Sequence, residues 1–254
     1  MELKFYDANL SYGYEMDVRR MPAKPCHTFG ELREAMDRCG VLGGLVRTVA
    51  ADVGGVKVGN EFLARDLSGA GDYWGMYTIV PSCTHEIPAP KELPAALRKA
   101  RMPVIRLNPP EHRYLAKPAV LGDYLAVAEE EKIPVMFDTS CGPTLEQIWD
   151  YLEAFPKLTA ILAYASVWPT DRYYRPLLEA FPNLRMELSF MLTDQGLEEL
   201  VRLYGAERFL YGSRFPFMSP GGGMLQLRCA EISDGDKAKI AGENLCAMIR
   251  EVLK

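Results

Sequence analysis

Short apolar runs alternate with longer amphipathic stretches along the chain, and this alternation predicts a series of strands and helices. The second half shows it most clearly, with apolar runs at 134–137, 159–163, 184–188 and 209–211. Each run ends in polar residues, and a helical pattern separates it from the next. Apolar runs without polar alternation are typical of strands buried on both faces, which indicates a parallel sheet.

The first half predicts four more strands, with less regular helices between them. The first strand is expected at Leu3–Tyr6, with a loop beginning at Asp7. The first helix has a clear start and end, because Thr28 and Glu31 have capping-box spacing and Gly40 suits a C-cap. The remaining strands of this half are predicted at 44–49, 76–80 and 104–107.

About eight strand–helix alternations in 254 residues favour a closed barrel over an open doubly wound sheet. No G-x-G-x-x-G or G-x-x-x-x-G-K motif follows a predicted strand, so the nucleotide-binding alternative lacks its phosphate loop. We therefore predict an α/β protein, a single-domain (β/α)8 TIM barrel over residues 1–254. In such a barrel the C-terminal strand ends form one face, which carries the chemistry.

Polar residues follow the predicted strands at this face. They are Asp7, Asn9, Ser11, Arg47, Cys83, His85, Arg106, Asn108, His112, Asp138, Tyr164, Glu187, Ser189 and Arg214. Because side chains alternate along a strand, we expect one member of each pair, Arg106/Asn108 and Glu187/Ser189, to face the pocket.

The arginines at this face have two interpretations. They could form structural ion pairs that close the barrel mouth, because an unpaired buried charge is costly. They could instead bind a carboxylate or carbonyl substrate, since a guanidinium binds a carboxylate in bidentate geometry. Both interpretations stay open for Arg47 and Arg106, whereas the strand-end position of Arg214 favours substrate binding.

Other candidate groups carry weaker signals. His85 and His112 could act as general acid or base near neutral pH, or be ordinary loop histidines. Cys83 and His85 could supply two metal ligands, but a C-x-H spacing alone is a weak signal. The glycines 221–223 precede a predicted helix, where they could bind an anion or form a flexible loop.

Composition narrows the classes of partner. The net charge is −5, the pI is about 5.4 and no basic stripe is present, so nucleic acid is not an expected partner. No apolar run approaches the ~18 residues of a membrane span, and the N-terminus lacks a signal-peptide pattern. The six cysteines contain no C-x-x-C pair and are expected to be reduced thiols in a cytoplasmic protein.

Three segments of the second half carry a family resemblance. They are AERFLYGSRFP at 206–216, FPNLRMELS at 181–189 and GENL at 242–245. Together they resemble segments of the amidohydrolase-related TIM barrels, whose members are small metal-dependent hydrolases and decarboxylases of carboxylated substrates. The resemblance extends in the same order through most of the chain, including residues 7–13, 134–142 and 158–166.

The resemblance fails at the positions that hold metal in the family. The family's strand 1 reads D-x-H-x-H-x-G, and its strands 5, 6 and 8 supply two histidines and an aspartate. The corresponding residues here are Asn9, Ser11, Asp138, Tyr164 and Arg214. Neutral donors and a guanidinium are poor ligands for a divalent transition metal, so the sequence predicts that the metal site is lost and that no cofactor is bound. The alternative is a relocated site using Cys83, His85, His112 or Asp138.

These observations predict an amidohydrolase-like enzyme that acts without metal on a small carboxylated or carbonyl compound. The reaction would be hydrolysis of an ester- or lactone-type bond, or else decarboxylation. The predicted catalytic residues are Asp138, Asp7 and Arg214. The predicted substrate-binding residues are Asn9, Arg47, Arg106, His85, His112, Tyr164 and Ser189.

The alternative is a catalytically inactive barrel that binds a small ligand or a partner protein. Charged and hydrogen-bonding replacements, rather than small apolar ones, favour the enzyme. The expected partner is an anionic small molecule, with no membrane or nucleic acid; a homo-oligomer is expected only by analogy with relatives.

Overall fold

Eight parallel strands lie side by side in the order in which they occur along the chain. They belong to a computed structural model that describes residues 2–14, 25–165, 171–191 and 195–254. The strands are β1 Phe5–Tyr12, β2 Val41–Thr48, β3 Tyr73–Thr78, β4 Val104–Arg106, β5 Val135–Asp138, β6 Ala160–Ala163, β7 Leu184–Glu187 and β8 Phe209–Leu210. Backbone hydrogen bonds of 2.9 Å from Ala8 N to Tyr211 O and from Ser11 N to Phe215 O join β1 to the segment that follows β8 and close the barrel. The predicted single-domain (β/α)8 barrel is confirmed.

Helices connect the strands around the outside and cover one end of the barrel. They are α1 Phe29–Cys39, α2 Ala50–Val53, α3 Val56–Asp66, α4 Leu93–Ala100, α5 Pro109–His112, α6 Pro118–Glu130, α7 Leu145–Ala154, α8 Asp171–Ala180, α9 Gly196–Tyr204, α10 Pro220–Cys229, α11 Asp234–Ala238 and α12 Asn244–Leu253. Within the described ranges, none of these helices is long and apolar enough to cross a bilayer.

The first strand is longer than the sequence predicts. β1 continues through Asp7, Asn9 and Ser11 to Tyr12, so the loop expected at Asp7 is wrong. The polar residues stay in the strand because its backbone is paired on both sides, with β2 through Ser11↔Arg47 and with the β8 end through Phe215. This pairing buries three polar side chains at the closing seam of the barrel.

Helix ends follow their sequence signals in some places and depart from them in others. The capping box of Thr28 and Glu31 and the left-handed Gly40 (φ 75°) at the end of α1 are confirmed. The expected final helix is divided, because α11 and α12 are separated by a π-helical turn over Lys239–Glu243. Glycines 221–223 lie inside α10 rather than before it. Thr193, the expected N-cap of α9, lies outside the described residues.

Two groups of apolar side chains form the core. The larger packs the outer helices against the sheet. The smaller fills the barrel interior, where Leu45, Met136 and Leu210 meet Leu245 and Ile249 from α12. The C-terminal helix therefore contributes to the barrel interior, and the polar chemistry lies at the C-terminal strand ends.

Candidate active site

A cavity of about 350 Å³ opens among the C-terminal ends of β2, β4, β5, β6 and β8. Its polar wall residues are Arg47, Asp52, Arg106, Asn108, Glu111, Ser140, Cys141, Tyr164 and Arg214. Four of the ten predicted catalytic and substrate-binding residues are among them, namely Arg47, Arg106, Tyr164 and Arg214. The strand ends therefore bring together side chains that are far apart in sequence.

Asp52 in α2 connects two of the arginines. Its Oδ2 accepts a hydrogen bond of 2.9 Å from Arg47 Nη1, and its Oδ1 accepts one of 2.6 Å from Arg106 Nη1. Asn108 Nδ2 donates to the same Oδ1 at 2.9 Å. Burial acts to raise the pKa of the Asp52 carboxyl, but the Arg106 and Arg47 guanidinium groups outweigh it and lower this pKa to about 2. Asp52 is therefore an ionised, structural partner of both arginines.

Sequence analysis missed Asp52 because it lies in a four-residue helix beyond the strand end. The signal available was a carboxylate five residues after Arg47 in a stretch that leaves β2. The structural interpretation, in which ion pairs close the barrel mouth, thus holds for Arg47 and Arg106.

Arg106 and Asn108 both line the cavity, so the expectation that only one of them faces it is wrong. Residues two apart in an extended segment share a face, and the same holds for Glu187 and Ser189, whose side chains are hydrogen-bonded to each other. Arg106 is 1% exposed, and its Nε has no partner among the described residues. Asn108 is 3% exposed, and its Oδ1 likewise lacks a partner within the described ranges.

Arg214 is held by aromatic rings. Its guanidinium carbon lies 3.7 Å from the centroid of the Tyr164 ring and 5.2 Å from that of Phe217. Arg214 and Tyr164 both have left-handed backbones, with φ of 56° and 59°. Such conformations cost roughly 1–2 kcal/mol for residues with a side chain, and they are concentrated at functional sites. No ion pair of Arg214 is formed within the described part of the chain.

Asp138 at the end of β5 lies directly behind the cavity wall. Its side chain is 4% exposed, and its Oδ1 accepts hydrogen bonds from Ser140 N at 2.9 Å and Ser140 Oγ at 2.6 Å. Ser140 and Cys141 lie on the wall. The turn that carries them is tight, since a Cβ on Gly142 would lie 2.6 Å from the Asp138 carbonyl oxygen. Ser140 thus links the carboxylate to the cavity.

A second polar cluster is formed by side chains of β1 and of the ends of β7 and β8, and it does not line the cavity. Asp7 Oδ1 accepts hydrogen bonds from the backbone N of Asn9 at 2.8 Å and of Ser213 at 3.0 Å. Glu187 Oε2 accepts one from Asn9 Nδ2 at 3.0 Å and one from Ser189 Oγ at 2.9 Å. Burial raises the pKa of Asp7 to about 6 and that of Glu187 to about 7. Asp7, Asn9 and Ser189 are therefore grouped with one another rather than with the arginines.

The two predicted loop histidines do not reach the cavity wall. His112 in α5 has its Nε2 2.9 Å from the carbonyl oxygen of Ala51, so it supports the helix that carries Asp52. His85 is exposed, in a left-handed conformation (φ 56°) after a short 3-10 turn that also exposes Cys83. Cys83 and His85 therefore share one exposed turn, whereas His112 contacts Ala51 and Asp138 contacts Ser140.

Several residues that the resemblance matches to the family's metal ligands have other partners within the protein. The Asn9 amide is bonded to Glu187, and the Ser11 hydroxyl donates to the Phe215 carbonyl oxygen at 3.2 Å. The Tyr164 ring is covered by a guanidinium, which would repel a cation. Within residues 2–14, 25–165, 171–191 and 195–254, no group of three or more His, Cys, Asp or Glu side chains could hold a metal ion.

The chain was compared with protein families, curated proteins and solved structures. A family model described as Amidohydrolase matches residues 31–244. No curated protein matches the sequence.

Solved structures share the fold at low identity. An uncharacterised TIM-barrel protein from Bordetella bronchiseptica aligns with a TM-score of 0.73 and 18% identity, covering 99% of this chain and 100% of its own. A 2,6-dihydroxybenzoate decarboxylase from Rhizobium aligns with a TM-score of 0.74 and 13% identity, covering 98% and 99%. A putative 2-pyrone-4,6-dicarboxylic acid hydrolase from Pseudomonas putida aligns with a TM-score of 0.73 and 15% identity, covering 100% of both chains.

Proposed function

The chain belongs to the amidohydrolase family, and on that premise we propose that it is an enzyme that acts on a small carboxylated or carbonyl compound without a bound metal. The reaction is either hydrolysis of an ester- or lactone-type bond or decarboxylation. The cavity among the strand ends is the proposed binding site. Structural relatives named as a decarboxylase and a hydrolase of carboxylated rings are consistent with both reactions.

The proposal depends mainly on one observation, the lack of a carboxylate partner for Arg214 among the described residues. Arg47 and Arg106 share the Asp52 carboxylate, whereas Arg214 has no carboxylate partner among the described residues and rests on aromatic rings. A guanidinium held in this way keeps its donors available for a planar carboxylate in bidentate geometry. The unpaired positive charge of Arg214 therefore favours an anionic ligand in this cavity.

The proposed chemistry uses charge in place of a metal ion. In hydrolysis, a water attacks the acyl carbon, the carbonyl oxygen gains negative charge, and a guanidinium stabilises it. Asp138 takes the proton of the attacking water, through Ser140 or a water, and returns it to the leaving oxygen. In decarboxylation, the carbon–carboxyl bond breaks with release of CO₂, and the electron pair left on carbon takes a proton that Asp138 has first received from water. Asp7 is buried away from the wall, so we assign the proton transfer to Asp138 first.

A substrate panel tests this function. Purified protein is incubated with 2,6-dihydroxybenzoate, 2-pyrone-4,6-dicarboxylate, simple lactones and aryl esters, and products and CO₂ release are followed. We expect turnover of at least one carboxylated compound, with loss of most activity in Arg214→Gln and Asp138→Asn. Arg65→Gln is the matched control, because Arg65 also lies over an aromatic ring, 4.6 Å from the centroid of Phe62, but outside the cavity.

The competing function is binding without catalysis. If no compound is turned over but one of them raises the melting temperature of the wild type and not of Arg214→Gln, the protein is a ligand-binding barrel. Turnover that is unaffected in both cavity variants would contradict the assigned site.

A further inference from the structure

Cys141 lies on the cavity wall among the arginines. It follows β5, is partly exposed, and accepts a hydrogen bond of 3.0 Å to its Sγ from Arg106 Nη2. Arg47 and Arg214 line the same cavity of about 350 Å³. A thiol is thus placed in a small space whose wall is rich in guanidinium groups.

The wall around this thiol has unmet hydrogen-bonding capacity. Arg106 Nε and Asn108 Oδ1 have no partners within the described residues, although their side chains are only 1% and 3% exposed. Buried polar atoms in proteins are nearly always hydrogen-bonded, to protein groups, water, ions or ligands. One donor and one acceptor on the same wall as Cys141 are therefore left for a water or another small polar molecule.

The thiol itself is not activated by its surroundings. Burial raises the pKa of Cys141, the Asp138 charge raises it further, and the Arg106 and Arg47 charges only partly oppose this. The resting thiol is therefore protonated at neutral pH and reacts slowly with neutral reagents. Any enhanced reactivity must come from the local concentration of the reagent, which the arginines raise for anions alone.

From this placement we propose that Cys141 is a covalent modification site for small carboxylates that carry an electrophilic carbon. The inference depends on the anion-binding cavity assigned under the proposed function. The reagent's carboxylate lies at Arg214, which has no carboxylate partner among the described residues, and its electrophilic carbon reaches Sγ within the same cavity. The bond from Sγ to carbon forms, the leaving group departs with its electron pair, and the thiol proton passes to solvent. The adduct occupies the cavity and blocks ligand binding there.

Iodoacetate and iodoacetamide provide a matched pair of probes that differ in charge. Both transfer a two-carbon group to the thiol and release iodide. Alkylation of each cysteine is followed over time by peptide mapping, with the exposed Cys39, Cys83 and Cys229 as internal references in the same sample. The measured quantity is the iodoacetate-to-iodoacetamide rate ratio at Cys141 divided by that at Cys83.

We expect this quotient to be about 10 or more, because a charged cleft concentrates an anion by at least that factor. It should fall several-fold in 0.5 M salt and in Arg214→Gln, but not in Arg65→Gln. Because Arg214→Gln could fail to fold, protection by benzoate is measured on the wild type as well. Benzoate should slow alkylation of Cys141 while leaving Cys83 unchanged.

A quotient near one, or a salt-independent quotient without benzoate protection, overturns the inference. The outcome is separable from that of the substrate panel. A high quotient without turnover contradicts the proposed enzyme but supports the modification site. Turnover with a quotient near one supports the enzyme but contradicts the modification site.

Discussion

The guanidinium carbon of Arg214 lies 3.7 Å from the centroid of the Tyr164 ring, and both residues have a left-handed backbone, with φ of 56° and 59°. These two residues follow β8 and β6, and they occupy two positions at which the resemblance places metal ligands in the family. A cation–π contact of this kind contributes ~0.5–2 kcal/mol and fixes the direction of the guanidinium without using its hydrogen-bond donors. A guanidinium with a fixed direction therefore lies at this edge of the barrel.

The first prediction concerns ligand affinity. Arg214→Gln should weaken binding of the best carboxylate from the substrate panel roughly 10- to 100-fold, because a hydrogen bond to a charged group contributes about 1.5–3 kcal/mol. Arg214→Lys should recover part of the loss, since it keeps the charge but not the planar donor pair. Isothermal titration calorimetry measures both, with Arg65→Gln as the control. Equal affinity in wild type and Arg214→Gln would contradict the assignment.

The second prediction concerns the shared carboxylate. Asp52→Asn should reduce the free energy of unfolding by about 3–5 kcal/mol, because it leaves the 1%-exposed Arg106 side chain without its counter-ion. Added acetate should recover part of this stability by binding to Arg47 and Arg106. Denaturant titration with and without acetate measures the effect. A variant as stable as the wild type would show that the ion pairs do not hold the cavity wall.

The third prediction is a pH dependence from the buried acids. Burial raises the folded-state pKa of Asp7 from 3.8 to about 6 and that of Glu187 from 4.5 to about 7. The folded state therefore binds more protons than the unfolded state between about pH 4 and pH 7. The stability that these groups contribute is present below their unfolded pKa and is lost as the pH rises through the folded pKa.

Unfolding free energies of wild type, Asp7→Asn and Glu187→Gln at pH 5 and pH 8 test this dependence. Relative to the wild type, Asp7→Asn should gain about 1 kcal/mol and Glu187→Gln about 2–3 kcal/mol between these pH values, because neither variant side chain can ionise. The exposed Glu130→Gln is the control and should keep the wild-type profile. Parallel profiles for all four proteins would contradict the assigned burial effect.

The fourth prediction uses two glycines with opposite surroundings. A Cβ on Gly212 would lie 2.1 Å from Glu187 Oε1, whereas a Cβ on Gly222 in α10 would meet nothing within 4 Å. Gly212→Ala should destabilise the protein by about 1–3 kcal/mol through overpacking. Gly222→Ala should stabilise it by roughly 0.5–1 kcal/mol through helix propensity. Thermal melts compare the pair, and a neutral Gly212→Ala would show that Glu187 has room to move.

The fifth prediction concerns metal content. Protein purified without chelator should contain well under one equivalent of zinc or manganese, because a guanidinium and hydrogen-bonded neutral donors stand where the resemblance places the family's ligands. Elemental analysis by mass spectrometry measures the content. One equivalent that is retained in wild type and lost in Asp138→Asn would contradict the proposed metal independence.

The order of strands and helices could be predicted from the sequence, because each element has a local signal. The Thr28 capping box and Gly40 predict the bounds of α1, and the apolar run at 134–137 predicts the buried strand β5. The length of β1 could not be predicted. Asp7, Asn9 and Ser11 look like loop residues by type, and only pairing with β2 and β8 keeps them extended.

The candidate site was predictable only in part. Arg47, Arg106, Tyr164 and Arg214 meet at the cavity, as strand-end residues of a barrel should. Asp52 and Cys141 were missed because each lies a turn beyond its strand, where sequence position does not fix direction. Asp7 and Asn9 were grouped with the arginines, whereas the structure places them with Glu187.

The sequence by itself determined the alternation of elements and the closed barrel, since these depend on local patterns and residue identity. The tertiary structure alone decided which charges meet. The shared carboxylate of Asp52 and the aromatic support of Arg214 depend on distances across strands far apart in the chain, and the same barrel frame permits other pairings. Side-chain contacts of that kind follow from packing in three dimensions rather than from any local sequence pattern.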